Sequence, residues 1–161
     1  MVEGHLLRGH SGKAGHVGHI SLDPQGAPDI CGTPGSLELA IGNATILERT
    51  GGRFATTHEL VRAYEEGDLE AAGFWLTSVQ ALAAGIVSLS NVLDPALVVI
   101  GGGIAAAGDA LFEPLRERVA RMEWNVASHP LPIIPAVLGD KAGACGAARQ
   151  ALLQSSSLSH E

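Results

Sequence analysis

The stretch from Asp68 to Gly103, DLEAAGFWLTSVQALAAGIVSLSNVLDPALVVIGGG, decides the fold. Its first part carries apolar residues at helical spacing, with Asp68 placed to cap the start and Asp94-Pro95 to end it. The second part, ALVVI at 96–100, is a short unbroken apolar run, which is typical of a buried parallel strand. A long helix, a buried strand and a glycine turn in this order predict α/β architecture.

Working outward, the same kinds of signal continue on both sides of this stretch. They predict helices at 37–41, 58–66, 114–123 and 143–153 and a second buried strand at 132–138. Ser36 and Thr57 are suited to cap helices, and Pro114 is suited to a first helical turn. Because the strands are separated by helices, we expect a mixed sheet flanked by helices.

Composition excludes several classes of protein. Hydrophobic residues make up 46% of the 161 residues, enough for a packed core, and the net charge of −7 comes without any Lys/Arg cluster, so no nucleic-acid surface is expected. Two cysteines cannot form a disulfide framework, which favours a reducing, cytoplasmic compartment. The longest apolar stretch, Ala81–Ile100, is interrupted by Asn91, Asp94 and Pro95, so no membrane span is expected.

The glycines Gly101, Gly102 and Gly103 have two readings. Glycines after a buried strand let a nucleotide approach bare backbone, but they can equally be purely structural. Gly101-x-Gly103-x-x-Ala106 also fits a loose dinucleotide pattern, which would make the chain an oxidoreductase. That pattern normally opens a domain and has an acidic residue after the next strand, whereas residue 123 here falls in a predicted helix.

The N-terminal region is rich in histidine. Four of the seven histidines fall within the first nineteen residues, at His5, His10, His16 and His19. They can be metal ligands or, more simply, surface or ligand-contacting residues. Further on, Glu38 is predicted in the first turn of a helix, where it either favours the helix N-terminus or accepts hydrogen bonds from a ligand held beside His19.

Four segments, in order, resemble the ROK family of repressors and sugar kinases. They are GHSGKAGHVGH at 9–19, DICGTPGSLE at 29–38, NVLDPALVVIGGG at 91–103 and LGDKAGACGAA at 138–148. The resemblance covers nearly the whole chain. It implies the C-terminal lobe of an actin-like ATPase fold at 1–154, followed by a flexible tail at 155–161.

The resemblance also implies roles for individual residues. The sugar would be held by His16, His19 and Glu38, and the turn at Gly101, Gly102 and Gly103 would line the adenosine site. In the complete kinase ATP and Mg²⁺ take part, and an aspartate serves as general base. The sugar would be glucose or an N-acetylated amino sugar.

The departures from the family pattern shape the expected function. The phosphate loops and catalytic aspartate of the family would precede the first residue here, so we expect no catalytic residue in this chain and no activity of the chain alone. The family's glutamate is replaced by His16, and only His19 and Cys31 remain of its zinc set, with Asp29 and Ser36 in the other places. We therefore expect no structural zinc.

The expected partners follow from the same comparison. Besides a small-molecule sugar, we expect a homo-oligomer or a separately encoded N-terminal lobe, because half of a two-lobed fold leaves apolar surface uncovered. The alternative function is a non-catalytic sugar-sensing domain of a ROK transcriptional regulator.

Overall fold

Helices dominate the part of the chain that the computed structural model describes, residues 4–124 and 130–158. The described helices are α1 (Leu37–Ile41), α2 (Ile46–Arg49), α3 (Thr57–Glu65), α4 (Leu69–Leu93), α5 (Asp109–Met122) and α6 (Ala142–Leu158). The described strands are β1 (Val98–Ile100) and β2 (Ile133–Pro135). Short 3₁₀ turns include Val17–His19 and Gly103–Ala107.

The long helix α4 is the centre of the core, and its predicted bounds are confirmed. The Asp68 carboxylate accepts a hydrogen bond from the Ala71 N–H at 2.8 Å, and Asp94 ends the helix in the left-handed conformation, with φ of 42°. Its buried face, which includes Trp75 and Val79, packs against α3 and α5. Among the described helices α4 alone is long and apolar enough to cross a membrane, and this burial is that of a core helix in a globular fold.

The contact between α4 and α1 is close because it lies over a glycine. A Cβ atom added to Gly85 would stand 2.8 Å from Cδ2 of Leu37, which is itself buried. Ser36 caps α1 as predicted, its hydroxyl accepting from the Leu39 N–H at 3.4 Å. The missing side chain at Gly85 therefore lets α1, and the residues it carries, sit directly on the core helix.

Helix α5 starts earlier than predicted, and the reason is a long-range hydrogen bond. Pro114 lies inside the helix rather than in its first turn, so the Ala110 carbonyl has no N–H four residues on. The buried indole Nε1–H of Trp75 donates to that carbonyl at 2.8 Å. The Ala110 carbonyl, which the proline leaves without a backbone donor, is thus hydrogen-bonded by a side chain from α4.

The sheet is smaller and more open than predicted. Within the described residues it consists of β1 and β2, which pair in parallel with Val98 opposite Ile133, so the expected mixed sheet is wrong for this part of the chain. Ile133 is buried, but Val99 is 54% exposed, so only one face of the sheet is covered. The prediction of fully buried strands was wrong because an unbroken apolar run does not reveal whether both faces have a covering layer.

Two helix ends also differ from prediction. Thr56, not Thr57, caps α3, its hydroxyl accepting from the Glu59 N–H at 3.1 Å, while Gly67 follows the end of α3 with φ of 89° as expected. Helix α6 continues to Leu158, beyond the boundary predicted at residue 154. Residues 159–161 of the predicted tail lie outside the described residues.

Candidate functional site

The 3₁₀ turn Val17–His19 is held in place from both sides. Before it, the Ala14 N–H donates to the Arg8 carbonyl at 3.2 Å. After it, the Leu37 N–H donates to the Ile20 carbonyl at 2.9 Å, which ties the turn to the start of α1. His16 immediately precedes the turn, and its Nδ1–H donates to the Lys13 carbonyl at 2.9 Å. The second ring nitrogen of His16, Nε2, is left free for a ligand.

The Glu38 carboxylate lies in the angle between this turn and α1. A Cβ atom at Gly18, in the middle of the turn, would stand 3.0 Å from Oε2 of Glu38, and one at Gly42 would stand 2.8 Å from Oε1. Two glycines therefore make the space that the carboxylate occupies, while Glu38 as a whole remains exposed. The residues predicted to hold a sugar, His16, His19 and Glu38, thus all lie at this one turn.

His19, which ends the turn, is oriented by Asp29. Its Nδ1–H donates to Oδ2 of Asp29 at 2.7 Å, and the Asp29 side chain is fully buried. The other carboxylate oxygen accepts the backbone N–H groups of Cys31 at 2.8 Å and Thr33 at 2.9 Å. The hydrogen bond from His19 holds the pKa of Asp29 far below its usual range, with further lowering from Thr33, Ser36 and Cys31, although burial alone would raise it. The ionised Asp29 carboxylate therefore accepts the hydrogen bonds that hold this loop together.

Three of these side chains are candidate ligands for a metal ion. Donor atoms of His19, Asp29 and Cys31 lie within 4.8 Å of one another, which is the one such grouping found among the described residues. Only His19 and Cys31 keep the histidine and cysteine of the family's zinc set, with carboxylate and hydroxyl side chains at the positions of Asp29 and Ser36. The expected absence of a structural zinc stays a prediction.

We predict an acid-side loss of stability that depends on Asp29. Its folded pKa lies below the unfolded value of about 3.9, so the ionised carboxylate stabilises the fold above that pH. That contribution is lost as the pH falls from about 4 toward the folded pKa. The Tm of Asp29→Asn should therefore lie below that of the parent chain at pH 7, and the gap should narrow toward pH 3.

The matched control is Asp23→Asn, in the same loop region. Asp23 is exposed and accepts a hydrogen bond from the Gln25 N–H at 2.9 Å. Thermal unfolding followed by circular dichroism at several pH values measures both variants against the parent chain. A gap for Asp29→Asn that stays constant from pH 7 to pH 3 would contradict the assigned role of the carboxylate.

The three glycines after β1 have different surroundings. A Cβ atom at Gly101 would stand 3.2 Å from Cβ of Ala136, and Gly102 has φ of 75°, so both positions are restricted by packing or conformation. Gly103 instead lines a cavity of about 480 Å³ together with Ile104. Of the predicted nucleotide-binding glycines, Gly103 is therefore the one whose backbone faces open space in a cavity.

Sequence reasoning missed the opposite wall of this cavity. That wall includes Asn43, Thr57, His58, Arg62 and Glu65. The Asn43 side-chain oxygen accepts a hydrogen bond from the Thr57 N–H at 2.8 Å, which fixes the start of α3 at the cavity. No spacing in the sequence links these residues to Gly103, because they meet it only through the packing of α3 on the turn Gly103–Ala107.

Helix α1 lies between the two features. Glu38 stands in its first turn, and Ile41, its last residue, lines the cavity. Arg49 stabilises the C-terminal end of α1, since its guanidinium donates to the Gly42 carbonyl at 3.2 Å and to the Ser78 hydroxyl at 2.6 Å. One short helix therefore carries an exposed carboxylate at one end and a cavity wall at the other.

A match to a known protein family covers the segments that carry these features. The sequence model of the ROK family matches residues 1–154. The chain belongs to the ROK family. The ROK match spans the His16 turn, the Asp29 loop, the glycine turn and most of α6.

Among curated ROK relatives, the chain is 31% identical over 166 residues to a glucokinase of Thermotoga maritima, covering 92% of this chain and 52% of that protein. It is 32% identical over 143 residues to an N-acetylmannosamine kinase of Vibrio cholerae, covering 84% of this chain and 47% of that protein. The chain spans about half the length of the curated relatives it matches.

Solved structures of ROK proteins are similar in fold. A ROK hexokinase from Thermus thermophilus superposes with a TM-score of 0.82 at 34% identity, over 95% of this chain and 52% of that one. A ROK transcriptional regulator, a homologue of the Escherichia coli MLC protein, gives a TM-score of 0.70 at 26% identity, over 82% of this chain and 37% of that one. The family thus includes both kinases and a regulator with this arrangement of elements.

Proposed function

We propose that this chain is the sugar-binding C-terminal lobe of a ROK-type, ATP-dependent hexose kinase of the actin-like ATPase fold. The sugar class is glucose or an N-acetylated amino sugar. The observation that carries the proposal is the meeting of His16, His19 and Glu38 at the turn Val17–His19. Similarity to a glucokinase and an N-acetylmannosamine kinase supports the same substrate class.

The chemistry of these side chains suits a sugar. The two oxygens of the Glu38 carboxylate accept hydrogen bonds, and a pair of neighbouring hydroxyl groups supplies the matching donors. Lys13 and Asp29 each accept a hydrogen bond from Nδ1 of a histidine, so Nε2 of His16 is available to a hydroxyl group, whereas Nε2 of His19 lies 3.7 Å from Sγ of Cys31. His16 thus replaces a carboxylate by one ring nitrogen, which reduces the negative charge around the sugar.

The cavity beside Gly103 is the proposed adenosine site. Its volume of about 480 Å³ falls in the range of small-molecule pockets, and Asn43, Thr57 and Gly103 supply polar and backbone groups at its wall. In the complete kinase ATP and Mg²⁺ would supply and polarise the transferred phosphoryl group. No acid of this chain is assigned as general base, so we propose that the chain alone binds sugar without phosphorylating it.

The proposed partner is a separate N-terminal lobe or a second copy of the chain in the cytoplasm. Apolar side chains at and beside the sheet support this, because Val99 is 54%, Ile134 42% and Val137 96% exposed. Apolar side chains exposed this close together are typical of surfaces that another protein covers.

Calorimetric titration tests the proposal. Glucose and N-acetylmannosamine are titrated into the full chain at millimolar concentration, with the acyclic polyol mannitol as control. We expect saturable heat with at least one of the two sugars, none with mannitol, and no ADP formation when ATP and Mg²⁺ are added. Absence of heat with both sugars would overturn the proposed function.

A sensing domain of a ROK regulator is the second candidate. It is favoured by the similarity to the MLC-type regulator. The sequence encoded in frame upstream distinguishes the two. A D-x-G-G-T phosphate loop there supports the kinase, whereas a basic winged helix supports the regulator.

A further inference from the structure

We propose that the groove between α3, α4 and α5 is a second ligand site, which takes a small monocarboxylate with an apolar body. The groove holds a cavity of about 480 Å³, the size of a small-molecule pocket. Its lining includes Tyr64 of α3, Leu76 and Gln80 of α4, and Pro114, Arg118 and Met122 of α5. The groove shares no lining residue with the cavity beside Gly103 or with the turn Val17–His19, so the site requires neither proposed ligand.

Arg118 supplies the positive charge that such a ligand needs. Its Nε is buried and, within the described part of the chain, has no hydrogen-bond partner. Nη1 makes a long hydrogen bond of 3.3 Å to the Pro114 carbonyl of the same helix, and none of the described carboxylates forms an ion pair with this guanidinium. The half-buried side chain lines the cavity, so its torsions can turn the Nε–H and an Nη–H toward a carboxylate there.

The neighbouring polar groups add donors and leave one positive charge in excess. The side-chain amide of Gln80 lies 3.1 Å from Sδ of Met122, and a thioether sulfur is a weak acceptor. Arg121 also lines the groove, but its guanidinium is paired with Glu117, one turn earlier on α5. The two arginines and one glutamate of the lining leave a net charge of +1, which a single carboxylate neutralises.

The other walls of the groove define the body of the ligand. Tyr64 and Leu76 are half-buried and pack against the hydrophobic core, and Pro114 contributes a ring without an N–H. Such walls favour contact with an aromatic ring or a short alkyl chain. A monocarboxylate that carries one of these groups therefore matches both the charge and the apolar surface of the groove.

Phenylacetate tests the site against two probes that carry the same ring. The full chain, labelled with ¹⁵N in its arginine side chains, is titrated at pH 8 with phenylacetate, with the neutral phenylacetamide and with the dianion phenyl phosphate, without sugar or nucleotide. We expect phenylacetate to shift the Arg118 Nε resonance along a saturation curve and to bind at least about tenfold more tightly than phenylacetamide, the effect of a charge-assisted pair. Phenyl phosphate should bind more weakly than phenylacetate, because its second charge has no partner in the groove.

Arg118→Lys separates the role of the guanidinium from that of charge alone. It keeps the positive charge but removes Nε–H and the planar pair of donors, and its spectrum identifies the Arg118 resonance by the signal that is missing. Its affinity for phenylacetate, measured by calorimetry, should fall at least about tenfold. The matched control is Arg53→Lys, because Arg53 is exposed, pairs with Asp68 and Glu70 and lies outside the groove. This control should bind phenylacetate as the parent chain does.

The result that contradicts the proposal is equally specific. Equal affinity for phenylacetate and phenylacetamide, tighter binding of phenyl phosphate, or an Arg118 Nε resonance that stays fixed with millimolar phenylacetate would overturn it. So would an unchanged affinity in folded Arg118→Lys, with circular dichroism reporting the fold. If this variant unfolds, the three probes on the parent chain still decide. Sugar binding is titrated separately, so a failure at the groove and a failure of the proposed function give different results.

Discussion

Glu38→Gln is expected to weaken sugar binding by about tenfold to a hundredfold, the effect of losing charge-assisted hydrogen bonds. Gln has nearly the same shape as Glu, so it should fit the space made by Gly18 and Gly42. It exchanges one accepting oxygen for an amide group that donates, which leaves one sugar hydroxyl without its acceptor. Calorimetric titration with the best-bound sugar measures the change.

The matched control is Glu48→Gln. Glu48 is an exposed glutamate in the first turn of α2, as Glu38 is in α1, but none of the described hydrogen bonds joins it to the turn Val17–His19. Glu48→Gln makes the same change in charge as Glu38→Gln, so the sugar titration of this variant should match that of the parent chain. Equal affinity of Glu38→Gln and Glu48→Gln would remove Glu38 from the sugar site.

Trp75→Ala is expected to lower the free energy of unfolding by about 3–5 kcal/mol, the range for truncating a buried aromatic side chain. Trp75 is 1% exposed at the centre of the contact between α4 and α5. Its removal leaves a cavity in the core and also leaves the Ala110 carbonyl, opposite Pro114, without a donor. Chemical denaturation followed by circular dichroism measures the loss.

Trp124→Ala is the control for Trp75→Ala, since Trp124 is 79% exposed and its truncation should change the free energy of unfolding by no more than about 0.5 kcal/mol. A loss of several kcal/mol can exceed the stability of a small domain. Trp75→Phe keeps most of the volume and removes the indole donor, so it should lose about 1–3 kcal/mol and remain measurable. Similar stabilities of Trp75→Ala and Trp124→Ala would contradict the central place given to α4 and α5.

Local signals in the sequence were enough to predict α4 and the start of α1. The cap at Asp68, the apolar stripe and the stop at Asp94 act within a few residues of the helix ends, so they can be read without knowing the fold. The start of α5 could not be predicted from such local signals. Pro114 leaves the Ala110 carbonyl without its helical donor, and the donor comes from Trp75, 39 positions earlier in the chain.

Only some residues of each candidate site could likewise be predicted from the sequence. His16, His19 and Glu38 were assigned from the resemblance to the ROK family, and the structure places the turn Val17–His19 beside the start of α1, which carries Glu38. Asp29 was recognised only as a residue at a metal-ligand position, because its bond to His19 depends on how the intervening loop closes. The cavity wall carried by α3 left no sequence signal, since it reaches Gly103 through tertiary packing alone.

The central claim is that a sugar binds at the turn Val17–His19, and histidine resonances report on it directly. The chain is labelled with ¹⁵N-histidine, and glucose and N-acetylmannosamine are titrated separately at millimolar concentration. We predict that one of these sugars shifts the ring resonances of His16 and His19 with a common saturation curve. His58, in the cavity beside Gly103, should not move with sugar but should move with a non-hydrolysable ATP analogue. Histidine resonances that stay fixed with both sugars, or a shift at His58 without one at His16 and His19, would contradict the account.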